Sequence, residues 1–269
     1  MRTRVIAITG ASAGIGLATA LRLARDRAAV ALCARRSDRL DQAARDVAAA
    51  GGQAMPFVAD VAREADMDRF VAQTVERFGR LDVMMCNAGY GVAGAIDDIA
   101  ADQMQKIMNV NFMGTYFAAR AAMRVFRRQG SGHLIIVSSI VGKRGVPFMG
   151  AYSATKFAQV GLAECLRAEL AGSPIHVSVV YPVSTDTEFF EVMTRETGVP
   201  VTRAYGPRQH VDAVADAIAR AIERPVVEIY PHFTSRMLVI LNAFAPGFTD
   251  GLVKRFGRKP IRGTASAER

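Results

Sequence analysis

The chain has 269 residues, 51% hydrophobic and 22% charged, which supplies material for a substantial core and excludes a disordered or fibrous protein. Its net charge of +9 raises nucleic acid or an anionic membrane surface as partners, but no aromatic-interleaved basic stripe or nucleic-acid motif accompanies it, so no nucleic acid is expected. No apolar run reaches the ~20 residues of a spanning helix, and Met1-Arg-Thr-Arg-Val-Ile-Ala-Ile enters a strand pattern without the layout of a signal peptide, so a cytoplasmic location is expected.

A strand is predicted at Val5–Thr9 and a helix over Ile15–Asp26, joined by Thr9-Gly10-Ala11-Ser12-Ala13-Gly14-Ile15-Gly16. Glycines at such a turn let the backbone approach a pyrophosphate, whose charge the helix N-terminal N–H groups meet. Gly10, Ser12, Gly14, Ile15 and Gly16 are therefore candidates to hold a dinucleotide, although the spacing is G-x-x-x-G-x-G rather than G-x-G-x-x-G. The second strand, Ala29–Cys33, runs into Arg35-Arg36. An acidic residue there would accept from a ribose hydroxyl, whereas the guanidinium fork suits a 2′-phosphate, which points to NADP(H).

A helix over Asp38–Ala49 and a strand over Ala54–Val58 lead to Asp60-Val61; a helix over Glu64–Phe78 and a strand over Val83–Cys86 lead to Asn87-Ala88-Gly89. Both motifs fall at the carboxyl ends of strands, where open parallel sheets place their ligands. A long helix is predicted over Asp102–Arg128, then a strand over Leu134–Ser138 with Ser139 at its end, and a helix over Ala151–Leu170 carrying Tyr152 and Lys156. Residues four apart share a helix face, so the ammonium lies beside the phenol and favours its ionised form, making a group of pKa ~10 a usable acid at neutral pH. With a Ser139 hydroxyl to hold a carbonyl oxygen, the set describes carbonyl reduction or its reverse.

After a strand at Val177–Tyr181, the stretch from Pro182 to Arg208 is long for a connection and carries Phe189, Phe190, Val192 and Met193 with Arg195 and Arg203; residues 188–208 read as a substrate lid. A helix over Val211–Ile222 and a strand over Val227–Tyr230 follow, then the apolar segment Phe233–Phe244 and a tail with Lys254, Arg255, Arg258, Lys259 and Arg262. Three roles stand open for that segment: covering the pocket, packing a subunit interface, or lying on a membrane. Short β-branched runs alternating with helical patterns make this an α/β fold, a doubly wound parallel sheet of about seven strands with helices on both faces. One domain is expected, with residues 1–232 binding the dinucleotide and 233–269 belonging to the same unit. Cys33, Cys86 and Cys165 are expected to be buried thiols, and the four histidines lack ligand spacing, so no metal is assigned.

From Thr9 to about Tyr230 the chain resembles the short-chain dehydrogenase/reductases, through its glycine pattern, Asn87-Ala88-Gly89, Asn111, Ser139, Tyr152-x-x-x-Lys156 and Pro182. The resemblance implies a Rossmann-type fold and a homodimer or homotetramer. It implies Tyr152 as general acid/base, Ser139 orienting the carbonyl, Lys156 holding the nicotinamide ribose and lowering the tyrosine pKa, and Asn111 anchoring a water that links Lys156 to solvent. It further implies adenine-side contacts from Asp60 and Val61 and nicotinamide-side contacts after Pro182, including Thr187. Two positions depart from the pattern. Cys86 replaces the first asparagine of Asn-Asn-Ala-Gly, which questions one sheet-stabilising hydrogen bond, and Val183 replaces the glycine of Pro-Gly, which restricts the loop. The expected function is NADP(H)-dependent hydride transfer to or from a hydrophobic ketone, aldehyde or secondary alcohol. The rival is a nucleotide-binding regulator or scaffold that has lost turnover, which has no need for all four of Asn111, Ser139, Tyr152 and Lys156.

Overall fold

The computed structural model describes residues 3–198 and 208–257, with side chains as far as Lys254. The lid residues 199–207, Arg203 among them, and the tail from Arg258 onward lie outside the described residues. The elements in chain order are β1 (Val5–Thr9), α1 (Gly14–Ala24), β2 (Ala29–Ala34), α2 (Ser37–Ala49), β3 (Gln53–Val58), α3 (Glu64–Phe78), β4 (Val83–Cys86) and α4 (Ala101–Met108). There follow α5 (Gly114–Gln129), β5 (Gly132–Val137), α6 (Gly150–Glu169), β6 (Ile175–Val180), β7 (Ser184–Thr185), α7 (Phe189–Thr197), β8 (Arg208–Gln209), α8 (Val211–Glu223), β9 (Glu228–Ile229), α9 (Phe233–Phe244) and α10 (Pro246–Gly257).

Seven strands pair in the order β3-β2-β1-β4-β5-β6-β9, every pair parallel. Side chains alternate across a strand, and β1 shows the consequence: Ala7 joins a core with Phe70, Phe126 and Leu134, while Ile6 and Ile8 join one with Leu23, Leu40 and Ile218. Helices α3, α5 and α6 thus cover one face, and α1, α2 and α8 the other. The expected doubly wound sheet is present. Strand order reverses between β1 and β4, so a crevice opens at the carboxyl ends of the central strands. A third apolar cluster, with Tyr90, Ile107, Met149, Tyr152 and Met193, lies at that end.

Several expectations need correction. The helix predicted as one piece from Asp102 is α4 and α5 joined by a π-helical turn at Asn109–Met113. Such a turn carries one extra residue and is a frequent companion of functional sites; here it holds Asn111 fully buried. A two-stranded parallel ribbon, β7 with β8, was not legible in so few residues. Cys33 and Cys86 are buried, but Cys165 is exposed, because it lies on the outer face of α6. Val183 is not strained: among the described non-glycine residues only Arg27 and Phe148 have positive φ, so the loop after β6 runs without the left-handed conformation.

Candidate active site

The turn between β1 and α1 is shaped by its glycines. Gly10 and Gly14 have φ of +66° and +55°, a region costly for side-chain-bearing residues. A Cβ on Gly16 would lie 2.4 Å from the Gly10 carbonyl oxygen and 2.7 Å from Asn87 Nδ2, so this glycine lets α1 close onto the turn. The α1 N-cap, Ala13, supplies no side-chain hydrogen bond, which leaves N-terminal N–H groups for an anion. Where Cys86 replaces asparagine, neighbouring residues tie β1 to β4. Asn87 Nδ2 donates to the carbonyls of Thr9 (2.9 Å) and Gly10 (3.1 Å), and the N–H groups of Asn87 and Ala88 donate to Thr9 Oγ1.

Arg35 and Arg36 follow β2 as expected and are exposed. Arg36 lies 3.8 Å from Glu188, which also pairs with Arg39, while Arg35 has no ion-pair partner among the described residues. The Asp60 turn is rigid: Asp60 Oδ1 accepts from the Ala62 N–H, and the Asp60 N–H donates to Asp66.

Tyr152 and Lys156 stand on the first turns of α6, both buried, with the lysine Nζ 5.5 Å from the tyrosine ring centroid. Burial governs both. It pushes the Tyr152 phenol up, opposed by a hydrogen bond with Ser139, and pulls Lys156 down to about 7. The four-residue spacing predicts a lysine charge favouring the phenolate; in the structure Nζ turns to the Val137 carbonyl (2.9 Å) and Gln159 Oε1 (3.2 Å), and desolvation dominates. Ser139 sits at the end of β5, its Oγ accepting from the Val141 N–H.

Asn111 has its side chain committed to protein. Its Oδ1 accepts from the Tyr90 N–H (3.0 Å), and its Nδ2 donates to the Tyr90 carbonyl (2.9 Å) and to Thr155 Oγ1 (3.0 Å). Its carbonyl accepts from Gln159 Nε2 (2.8 Å), which also reaches Thr115 Oγ1. Gln159 therefore joins Lys156 to the Asn111 backbone. Sequence reading missed it, although a polar residue on the buried face of α6, three after Lys156, was the available signal.

These elements enclose one cleft of about 600 Å³. Gly10, Ser12, Gly14, Ile15, Arg35, Arg36, Asp60, Val61, Asn87, Ala88, Gly89, Ser139, Tyr152, Lys156, Pro182 and Thr187 all line it; of the sequence-predicted site residues, Gly16 and Asn111 stand behind its wall. Phe189, Phe190, Val192 and Met193 of α7 line the end beside Tyr152, whose ring lies 5.3 Å from that of Phe189. No described residue of α9 lines the cleft, so that segment does not cover the pocket.

Residues 4–197 match the family model of the short chain dehydrogenases. The chain belongs to that family. As a short-chain dehydrogenase it is an oxidoreductase acting on CH–OH or C=O groups with a nicotinamide cofactor. An uncharacterized oxidoreductase of Listeria innocua is 34% identical over 231 residues, covering 84% of this chain and 92% of the relative. Among solved structures, an alcohol dehydrogenase from Thermococcus sibiricus complexed with 5-hydroxy-NADP has a TM-score of 0.75 at 28% identity, covering 85% of this chain and 96% of its own. A Mycobacterium paratuberculosis short chain dehydrogenase bound to NAD has a TM-score of 0.74 at 26% identity, covering 84% and 95%. A dinucleotide fits the residues present: a Cβ on Gly10 would come within 2.8 Å of Ala88 Cα, and the uncapped α1 N-terminus opens beside it.

Proposed function

We propose that this short-chain dehydrogenase is an NADP(H)-dependent enzyme that interconverts a hydrophobic ketone or aldehyde and its alcohol, with Tyr152 as general acid/base. The observation that carries the reading is the convergence of Ser139, Tyr152 and Lys156 on one cleft whose far end presents Arg35 and Arg36. The glycine turn and the α1 N-terminus would hold the pyrophosphate, Asp60 and Val61 the adenine side, and Lys156, Pro182 and Thr187 the nicotinamide side. When bound, the nicotinamide supplies or accepts the hydride.

Ser139 and Tyr152 hydrogen-bond the carbonyl oxygen, and in the reducing direction Tyr152 delivers its proton as negative charge develops there. A phenol held protonated by burial is in the form that step needs. Lys156, fixed by Val137 and Gln159, lies close enough to balance the phenolate left behind, and the apolar side chains of α7 exclude water from the reacting bond. Preference for the 2′-phosphate rests on Arg35, with Arg36 in support, because no carboxylate occupies the end of β2 to take a free ribose hydroxyl.

The test has two arms. Fluorescence titration should give tighter binding of NADPH than NADH, with Arg35→Asp removing about tenfold or more of that preference; an unchanged preference rejects the assignment. Single-turnover oxidation of bound NADPH by a panel of aliphatic and aromatic ketones should proceed in the wild type. Tight binding without oxidation by any of them would point to the nucleotide-binding scaffold.

A further inference from the structure

More than half of the large hydrophobic side chains exposed on the described chain lie in its last two helices. In α9 they are Phe233, Met237, Ile240, Leu241 and Phe244, at offsets 0, 4, 7, 8 and 11, which is one face of a helix. The α10 residues Phe248 and Leu252, four apart, extend the exposure past the corner at Pro246. The other face of α9 is mixed: Ser235 is buried, Leu238 and Val239 are half-buried, and Asn242 accepts from Arg144 and from the buried Thr249. An ordinary surface helix turns its main apolar stripe to the core, whereas the larger apolar stripe of α9 faces out. The two helices pack chiefly on each other and are fastened to the domain through Arg144, which reaches Asn242 and ion-pairs with Asp250.

Charge indicates what covers this face. Helix α9 contains Arg236 and no acidic residue, and the single acid of α10, Asp250, is the one paired with Arg144. From Lys254 the sequence adds Arg255, Arg258, Lys259 and Arg262, with no acidic residue before Glu268. A second copy docking by the same face would set like charges against each other, since a two-fold contact matches each patch with itself. No described helix is long and apolar enough to cross a bilayer. An apolar helical face flanked by cations is the composition of a segment that lies in the interface of an anionic membrane.

We propose that the α9–α10 face docks on an anionic lipid surface, its phenylalanines entering the headgroup boundary and its cations meeting the lipid charge. The inference rests on this face alone and is independent of the reading of the cleft.

The experiment is co-sedimentation of the full chain with sucrose-loaded vesicles, either phosphatidylcholine alone or phosphatidylcholine mixed with phosphatidylglycerol, at low and high salt. The chain should bind the mixed vesicles about tenfold or more over the neutral ones, and high salt should weaken the binding. Phe244→Ser/Phe248→Ser, at exposed positions, should reduce binding by about tenfold or more while the circular-dichroism melting curve stays as in the wild type. Lys254→Ser/Arg255→Ser should weaken the preference for the mixed vesicles several-fold, Arg236, Arg258, Lys259 and Arg262 remaining, and an unchanged preference would overturn the role given to the cations. Equal binding to both vesicle types, or mixed-vesicle binding untouched by the phenylalanine changes, overturns the proposal. So does a phenylalanine variant that alters only the elution volume in size-exclusion chromatography, which would assign the face to a contact between copies of the chain.

Discussion

On the β1–β4 wall of the cleft, Gly10, Gly14 and Gly16 are set so closely against Ala88, Thr187, Asn87 and one another that a single methyl group has little or no room. On the α7 wall, Phe189, Phe190, Val192 and Met193 pack as ordinary apolar side chains against Tyr90, Met149 and Tyr152, and the helix is held by the Lys106–Glu196 ion pair, itself at the cleft, and by Thr197, which accepts from the Ala93 N–H. The first wall is specified by backbone approach, which tolerates one residue type; the second by volume and polarity, which many residues satisfy. A cofactor common to a family suits the first construction, and a substrate that differs between members suits the second. Between the walls stand Ser139, Tyr152 and Lys156, where the requirement is chemical.

The contrast can be broken most forcefully at its centre. Tyr152→Phe should lower kcat by about 10²–10⁴-fold with NADPH affinity nearly unchanged, because the ring contact with Phe189 survives and only the proton donor is lost. Steady-state kinetics with parallel cofactor titration checks this, and retention of most activity would exclude Tyr152 as the acid.

The buried lysine predicts a pH signature. Its folded pKa of about 7 lies below the unfolded value of 10.5, so between these values the unfolded chain holds the extra proton and stability contributed by this site grows as pH rises. Compared with Lys156→Met, the wild type should gain stability from about pH 7 toward pH 10, by a few kcal/mol at ~1.4 kcal/mol per pKa unit. Denaturant melts at several pH values measure the gap, and a constant gap would contradict the burial argument.

On the glycine wall, Gly16→Ala should cost about 1–3 kcal/mol of stability and weaken nucleotide binding, since the added methyl meets backbone and the Asn87 amide rather than a yielding side chain. On the α7 wall, Phe190→Ala should change only the response to substrate size. In a ketone series of increasing chain length, the rise in kcat/KM per methylene, at most about 0.8 kcal/mol, should shrink in the variant while nucleotide binding stays constant. Equal effects of both substitutions on nucleotide affinity would erase the distinction between the walls.

The same distinction explains what was legible in the sequence. The β1 turn, Asn87, Ser139, Tyr152 and Lys156 could be read as one cleft because backbone approach, and the proton transfer proposed for them, restrict residue type at fixed spacing. The central strands were legible because burial on both faces demands short apolar runs. The π-helical turn was not, because its extra residue leaves the apolar pattern between Asp102 and Arg128 almost continuous. Gln159 escaped because a glutamine in a helix is ordinary until its three partners, contributed by α6, the turn at Asn111 and α5, are brought together in space. The upward shift of Tyr152 was missed for a related reason: spacing puts the ammonium near the phenol but does not report how little water reaches it.

The turn at Asn109–Met113 makes α4 and α5 one continuous rod with a break in phase. An additional residue advances the helical face by about 100°, so the rod can offer Ile107 to the apolar cluster beside Tyr152 and, a few residues on, Ala118, Ala122 and Phe126 to the core beneath α3. A uniform helix would have to compromise between those two directions. Removing one residue from the turn would bring the two segments back into phase and swing Asn111 away from Tyr90 and Thr155, so the chain length between Met108 and Gly114 acts as an angular setting for the support behind the cleft.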